Sequence, residues 1–133
     1  MIYDNATGPI VSPDTDPYAS TTRTYRDVVW TQHYGTTKRK VTQEAVEAPA
    51  TWSDTAVKIV TEKYFRGDIG TPSRETSVYQ MIDRVVDVIV RQSETSGYLS
   101  SAHAEWFRAD LRYMLINQMF SFNSPVWFNV GTD

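Results

Sequence analysis

The residues best suited to chemistry are the polar ones in an apolar run near the C-terminus, Phe122–Gly131. The polar members are Asn123, Ser124 and Asn129, and the apolar neighbours include Val126, Trp127, Phe128 and Val130. Pro125 restricts Ser124 to extended geometry, so the run is predicted to be an extended, largely buried strand. In a dry site, the Ser124 hydroxyl could donate to a phosphate oxygen or to a sugar hydroxyl. A neighbouring backbone group could also satisfy it, and the residues alone favour that structural role.

Other parts of the chain give little support for metal binding or nucleophilic catalysis. The two histidines, His33 and His103, are far apart and show no metal-ligand spacing. There is no G-x-S-x-G motif, and Gly67–Gly70 does not match a phosphate-binding glycine loop. A predicted helix start at residues 71–75 could bind an anion, but a plain capped helix is favoured. We therefore predict no metal site and no catalytic residue in this chain.

Length and composition are those of one compact domain. The 133 residues are 41% hydrophobic, with a formal net charge of −3 and no basic block, so no nucleic-acid partner is predicted. The sequence has no cysteine, which excludes disulfides, cysteine–zinc sites and thiol chemistry in this chain. No apolar run reaches the roughly 18 residues of a membrane span, and no secretory signal is recognisable. We expect a cytoplasmic protein without a membrane partner.

A β-hairpin is predicted after an N-terminal arm. Residues 1–22 show no periodicity and are predicted to form a flexible arm, disordered or laid over another surface. β-Branched and aromatic residues predict strands at 24–31 and 41–46, joined by a polar connection at 35–40. The basic trio Lys38–Lys40 in that connection could bind an anion, but a solvated turn is favoured.

Helices are predicted between the hairpin and the C-terminal run. The first begins with Thr51 as its N-cap and stops at Gly67. The second has Thr71 as its N-cap and Pro72 in its first turn, and it fades around residues 92–96. Together with a third helix, these elements predict a mainly α fold.

The third helix begins after Ser100 or Ser101 and ends near residues 120–122, because the Ser-Pro pair that follows stops it. Its charged residues Arg108 and Arg112 fall mostly on the side away from the apolar stripe. The predicted fold is thus a three-helix N-terminal domain with a β-hairpin before it and a terminal extended strand.

Several stretches carry more specific information than their composition. In chain order they are K-Y-F-R at 63–66, G-T-P-S-R-E-T-S-V at 70–78, I-D-R-V-V-D at 82–87, G-Y at 97–98, and F-N-S-P-V-W-F-N-V-G at 122–131. In this content and order they resemble the N-terminal part of the class II, vitamin B12 (adenosylcobalamin)-dependent ribonucleotide reductases. The resemblance covers about residues 24–131, with Leu99 in place of the family's Phe after G-Y.

The resemblance implies a radical enzyme that converts ribonucleotides to deoxyribonucleotides. In that family adenosylcobalamin generates a thiyl radical on a cysteine inside an α/β barrel, and a thioredoxin-like system re-reduces further cysteines. A Ser-Pro pair at the barrel entrance contacts the substrate, which implies substrate binding by Ser124. The residues that would support this site are Asn123, Pro125, Trp127 and Asn129. The implied domains are an arm at 1–22, the hairpin plus helical domain at 23–122, and the first barrel strand at 123–133.

The lack of cysteine leads to two hypotheses. The family's essential cysteines and cobalamin site lie outside this sequence, so the chain is expected to be inactive alone. In the first hypothesis it is a split subunit or N-terminal part, a second chain carries the cysteine-containing barrel, and the apolar tail at 126–130 is exposed when isolated. In the second it is a non-enzymatic helical interaction or regulatory module derived from the reductase N-terminus, with its tail buried against itself.

Overall fold

The described part of the chain contains a β-hairpin followed by three α-helices, as predicted. The computed structural model describes residues 12–122, 126–127 and 130–132. Its elements are β1 (Arg23–Tyr34), β2 (Thr37–Pro49), α1 (Asp54–Lys63), α2 (Val78–Thr95) and α3 (Ser101–Ile116). The chain divides into two compact units, Thr21–Met81 in one, and Met1–Ser20 with Ile82–Asp133 in the other.

The hairpin is longer than predicted because its turn is tighter. β1 and β2 pair antiparallel, with Tyr34 opposite Thr37, so the turn contains two residues only. Gly35 occupies φ +62°, a backbone conformation that glycine adopts without steric strain. The predicted solvated turn at Lys38–Lys40 is therefore wrong: these residues are exposed but belong to β2.

A β-bulge interrupts the pairing of β1 with β2 in the half of the hairpin far from its turn. The register shifts between Arg26 and Val28, where Ala45 on the facing strand has φ +54° and its N–H donates to Asp27 Oδ1 over 3.0 Å. Extra residues at such a bulge bend the strand and increase its twist. Val46 is fully buried beside the bulge, in the core of the Thr21–Met81 unit.

Helix α1 is capped by Ser53 and not by Thr51. The Ser53 side chain accepts a hydrogen bond from the Ala56 N–H over 3.1 Å, and its φ and ψ are extended. Thr51 lies two residues too early, within a turn ahead of the helix that is closed by the Trp52 N–H donating to the Pro49 carbonyl. The predicted cap is therefore shifted by two residues.

We expect Ser53→Ala to lower the free energy of unfolding by about 1 kcal/mol, the usual value of an N-cap hydrogen bond. Thr51→Ala is the matched control and should change stability by less than about 0.5 kcal/mol. Urea unfolding followed by circular dichroism compares the two. A larger loss for Thr51→Ala would contradict the assignment of the cap.

Helix α2 begins at Val78, later than the Thr-Pro signal predicts. Thr71 and Pro72 lie in a turn, where the Arg74 N–H donates to the Thr71 carbonyl over 3.1 Å. Beyond the turn, the Thr76 carbonyl accepts from the Glu47 N–H of β2 over 2.9 Å, so the backbone is held by the hairpin. Residues 71–75 are not a helix start, and the anion site considered there has no structural basis among the described residues.

Helix α3 begins as predicted but ends earlier. Ser100 is its N-cap, accepting from the His103 N–H over 3.2 Å. At the other end, Gln118 has φ +57°, its N–H donates to Leu115, and the Met119 N–H donates to Met114. This is a Schellman motif, a local closure of the last helical turn. The predicted end near residues 120–122 is wrong because the helix closes itself before reaching Pro125.

The N-terminal arm contains an anchored residue. Tyr18 is buried, and its hydroxyl donates to Asp83 Oδ1 over 2.7 Å within the same unit. The Tyr18 N–H also donates to Asp16 Oδ1 over 2.9 Å, which folds the backbone locally. Tyr18 is thus fixed in place, as in the alternative of an arm laid over another surface, and the arm at 1–22 as a whole stays a prediction.

Candidate functional site

The C-terminal run, which the sequence marks as the site, is only partly described. Ser124, with Asn123, Pro125 and Asn129, lies outside the described residues, so their predicted roles stay predictions. Val126 and Trp127 are helical, and the Val130 N–H donates to the Val126 carbonyl over 3.0 Å, one helical turn apart. The predicted extended strand is therefore wrong at these residues. We call Val126, Trp127 and residues 130–132 the C-terminal turn.

Trp127 holds the C-terminal turn against the chain that precedes it. Its indole Nε1 donates to the Phe122 carbonyl over 3.0 Å, and the two rings meet edge-on with centroids 5.5 Å apart. Phe120 meets Phe122 in the same way at 5.4 Å. Trp127 is only 5% exposed, so the apolar tail predicted to be exposed is buried at this residue. An aromatic pair of this geometry adds about 0.5–1.5 kcal/mol beyond burial.

Arg84 of α2 contacts the other end of the C-terminal turn. Its Nη1 donates to the Val130 carbonyl over 2.7 Å. An open groove of about 440 Å³ runs beside this contact, lined by Val88, Ile89, Arg91, Gln92 and residues 130–132. The turn therefore lies along α2 and is held by a charged donor.

The stretch G-T-P-S-R-E-T-S-V holds the Thr21–Met81 unit together through Arg74. The guanidinium donates to the carbonyl oxygens of Thr61 (2.6 Å), Phe65 (2.9 Å) and Gly67 (3.1 Å) and to Gln43 Oε1 (3.0 Å). Burial lowers the pKa of Arg74, but an arginine stays protonated in proteins. Its donors close the end of α1 onto β2, and these contacts give Arg74 a structural role.

Glu75 and Gln43 complete this network. The Arg66 N–H donates to Glu75 Oε1 and the Glu75 N–H returns a bond to the Arg66 carbonyl, both over 2.8 Å. Gln43 Nε2 donates to the Glu75 carbonyl over 2.9 Å. Glu75 and Gln43 are both buried, and buried polar groups of this kind are stable only when their hydrogen bonds are made.

Glu47 of β2 receives several donors at the start of α2. Ser77 Oγ donates over 2.6 Å and the Tyr25 hydroxyl over 2.8 Å, while Arg23 forms an ion pair at 3.1 Å. Burial acts to raise the pKa of Glu47, but these donors together outweigh it and hold the pKa below its usual value. Glu47 is thus a carboxylate engaged in structure, not a free general base.

The stretch I-D-R-V-V-D supplies a second cluster of charges, where α2 meets α3. Asp87 pairs with Arg108 and, at 2.9 Å, with Arg112; Arg112 Nε also lies 3.0 Å from Asp83 Oδ1, without hydrogen-bond geometry. Burial raises the pKa of Asp83, more than the Tyr18 hydroxyl and Arg112 lower it. Burial and the Asp83 carboxylate likewise raise the pKa of Tyr18, so its phenol stays protonated.

This cluster was missed by sequence reasoning. Arg108 and Arg112 were expected on the polar side of α3, yet their side chains are largely covered and face the carboxylates of α2. The signal was present as Asp83 and Asp87 at i, i+4 opposite Arg108 and Arg112 at i, i+4. Pairing between two helices requires knowledge of which faces meet, which periodicity alone does not supply.

The described residues show neither a cluster of metal-binding side chains nor a membrane-spanning helix. Within residues 12–122, 126–127 and 130–132, no group of three or more His, Cys, Asp or Glu side chains could hold a metal ion. His33 lies on β1 and His103 in the first turn of α3. None of the helices in the same ranges is long and apolar enough to cross a membrane.

The chain is similar to known proteins over most of its length. A family model described as class II vitamin B12-dependent ribonucleotide reductase matches residues 26–118. The vitamin B12-dependent ribonucleotide reductase of Streptomyces coelicolor is 48% identical over 122 residues, which are 91% of this chain and 12% of that protein. The protein of the same name from Rhodopirellula baltica is 44% identical over 91 residues, 67% of this chain and 9% of that protein.

The matched region contains the Arg74 network and the ion-paired cluster between α2 and α3. Residues 26–118 include the whole Arg74 network and both sets of ion-paired residues on α2 and α3. The chain spans about an eighth of the length of the Streptomyces relative. It belongs to the family of class II vitamin B12-dependent ribonucleotide reductases.

Proposed function

We propose that this chain is the N-terminal helical part, or a split subunit, of a ribonucleotide reductase that makes deoxyribonucleotides by a radical mechanism. The observation that carries the proposal is the family match over residues 26–118, joined to 48% identity with a vitamin B12-dependent ribonucleotide reductase. The described residues form structural networks around Arg74 and around Asp87. The chain's task is then to support and position a catalytic barrel formed by other residues.

The substrate of the complete enzyme is a ribonucleotide, and Ser124 is the residue of this chain that we propose contacts it. The proposal rests on the F-N-S-P-V-W-F-N-V-G resemblance and on the chemistry of a hydroxyl in an apolar setting. Asn123, Pro125 and Asn129 are proposed to support that site. The hydrogen bond from Trp127 to Phe122 is consistent with such a supporting role for Trp127.

The reactive groups are proposed to lie outside this chain. The sequence has no cysteine, so the thiyl radical and the electrons for reduction must come from a second chain or from other residues of the enzyme. The cofactor is proposed to be adenosylcobalamin, which supplies the radical. We propose that the cobalamin site lies in the barrel, as the family resemblance implies. A thioredoxin-like protein would re-reduce the barrel cysteines, in the cytoplasm.

Reconstitution tests this proposal. The chain is mixed with a class II reductase polypeptide that carries the cysteine-containing barrel and lacks the corresponding N-terminal residues. We expect cobalamin-dependent formation of deoxyribonucleotide only when both polypeptides are present. Ser124→Ala should raise KM for the ribonucleotide in the mixture, whereas Ser96→Ala, at an exposed serine after α2, should not. A tight complex that stays inactive with adenosylcobalamin, substrate and a dithiol present contradicts the proposal.

A second candidate function is a non-enzymatic interaction or regulatory module. The burial of Trp127 against the chain's own Phe122 favours it, because a barrel strand would need these residues extended. Calorimetric titration with ribonucleotides separates the two proposals. Heat of ribonucleotide binding that appears only when the barrel polypeptide is present supports the reductase. A stable complex of the two polypeptides that shows no heat of ribonucleotide binding supports the module.

A further inference from the structure

Two contacts fasten the C-terminal turn to α2 at a single arginine. Arg84 Nη1 donates to the Val130 carbonyl over 2.7 Å. Gly131 approaches the same residue so closely that a Cβ would lie 2.6 Å from Arg84 Cγ and 2.8 Å from the Arg84 carbonyl oxygen. The φ of Gly131, +76°, is also one that residues with a side chain rarely adopt. A hydrogen bond and a close approach that only glycine permits thus converge on Arg84.

The C-terminal turn is also held from within. The Val130 N–H donates to the Val126 carbonyl over 3.0 Å, and Trp127 is tied to Phe122 by its indole hydrogen bond. This hydrogen bond therefore links Val130, which Arg84 contacts, to Val126, the neighbour of Trp127. Displacement at one end is transmitted to the other, because a packed turn moves as a unit.

We infer that Arg84 is a positioning residue for substrate binding, with Gly131 as the matching half of the anchor. The inference rests on the proposed function, which assigns substrate contact to Ser124. Ser124 precedes Val130 by six residues, a short reach over which an anchored end limits the positions of the chain. A misplacement of about 1 Å at a reacting centre can lower the rate by about a hundredfold. A charge-assisted hydrogen bond is a strong single contact to hold such a segment.

The first test measures the anchor in the chain alone, by hydrogen exchange. Arg84→Met keeps an unbranched apolar stem and removes the donor. We expect the Val130 amide to exchange about tenfold faster or more, the effect of losing a charge-assisted hydrogen bond. Arg66→Met, at an exposed arginine, is the control and should leave this amide unchanged. An unchanged Val130 amide in Arg84→Met would overturn the anchor.

If Arg84→Met does not fold, a pair of glycine variants tests the same anchor. Gly131→Ala and Gly97→Ala place alanine at similar backbone conformations, φ +76° and +78°, but nothing lies within 4 Å of the Cβ at Gly97. Any excess effect of Gly131→Ala therefore reports the close approach to Arg84. We expect faster exchange of the Val130 amide in Gly131→Ala only. Equal behaviour of the two variants would overturn the role of Gly131.

The third test measures positioning in the reconstituted enzyme. Arg84→Met should lower kcat/KM for the ribonucleotide about tenfold or more, mainly through KM, while the unfolding midpoint of the chain changes little. Arg84→Lys should recover part of this loss, since lysine can still donate to the carbonyl. An active wild-type mixture with unchanged kcat/KM in Arg84→Met overturns the positioning role alone. An inactive wild-type mixture overturns the proposed function, and the exchange experiment still tests the anchor.

Discussion

Replacing Arg74 by methionine is expected to lower the free energy of unfolding by about 3 kcal/mol, because four hydrogen bonds, three part-buried and one exposed, are lost at roughly 0.5–1.5 kcal/mol each. The acceptors are the carbonyl oxygens of Thr61, Phe65 and Gly67 and the side chain of Gln43. Methionine fills a similar volume but donates nothing. Urea unfolding of the chain measures the loss, which is a large part of the stability of an ordinary domain.

Two further variants sharpen this prediction. Arg74→Lys should recover less than half of the loss, because an ammonium cannot reproduce the planar fork that reaches α1 and β2 together. Arg66→Met removes an exposed arginine nearby in the sequence and should change stability by less than about 0.5 kcal/mol. Equal losses for Arg66→Met and Arg74→Met would contradict the network as the source of stability.

Gly67→Ala is expected to lower the free energy of unfolding by about 3 kcal/mol, from backbone strain and overlap together. Gly67 has φ +85°, and a Cβ there would lie 2.5 Å from the Ser73 carbonyl carbon and 2.7 Å from Arg74 Cα. Both are backbone atoms, so the clash cannot be relieved by a rotamer change. Because the Gly67 carbonyl also accepts from Arg74, the substitution disturbs the same network.

Gly70→Ala is the matched control for this substitution. Gly70 has φ +83°, nearly that of Gly67, but nothing lies within 4 Å of the Cβ position. It should show only the strain of a left-handed residue, about 1–2 kcal/mol. The difference between the two variants isolates the close approach of the loop to residues 73–74. Denaturation curves with the same midpoint for both would contradict that approach.

The two predictions concern the same feature, the packing of the G-T-P-S-R-E-T-S-V stretch. Its Arg74 and Glu75, together with Gly67 three residues ahead of it, hold the end of α1 against β2. A family motif in this part of the chain is thus explained by folding. The residues proposed to touch substrate are confined to the C-terminal run.

The predicted features that depend only on residues close together in the sequence are the hairpin and the Ser100 N-cap, and both are confirmed. The hairpin follows from β-branched and aromatic runs around Gly35, and the N-cap Ser100 follows from a serine just ahead of an apolar period. The family was also readable from the sequence, since its motifs occur in order and the family model matches residues 26–118. The proposed site residue Ser124 stays a prediction.

The remaining features were decided by tertiary contacts. Thr71 and Pro72 carry a strong local signal for a helix start, yet the hairpin takes up the Thr76 carbonyl and delays α2 to Val78. Arg112 lies on the side of α3 that the sequence pattern predicts to be away from the apolar stripe, yet its guanidinium pairs with a carboxylate of α2. In both cases a local preference of about 1 kcal/mol is outweighed by several hydrogen bonds to a distant part of the chain.

The C-terminal run shows the same division. Its sequence determined that an apolar segment with a few placed polar groups must be covered, because exposing Trp127 and its neighbours to water is unfavourable. Only the tertiary structure decided how the described part is covered: Trp127 packs on Phe122, and Arg84 and Gly131 meet at the surface of α2. The reason is that burial favours many arrangements, whereas a directed hydrogen bond and a close glycine contact select one.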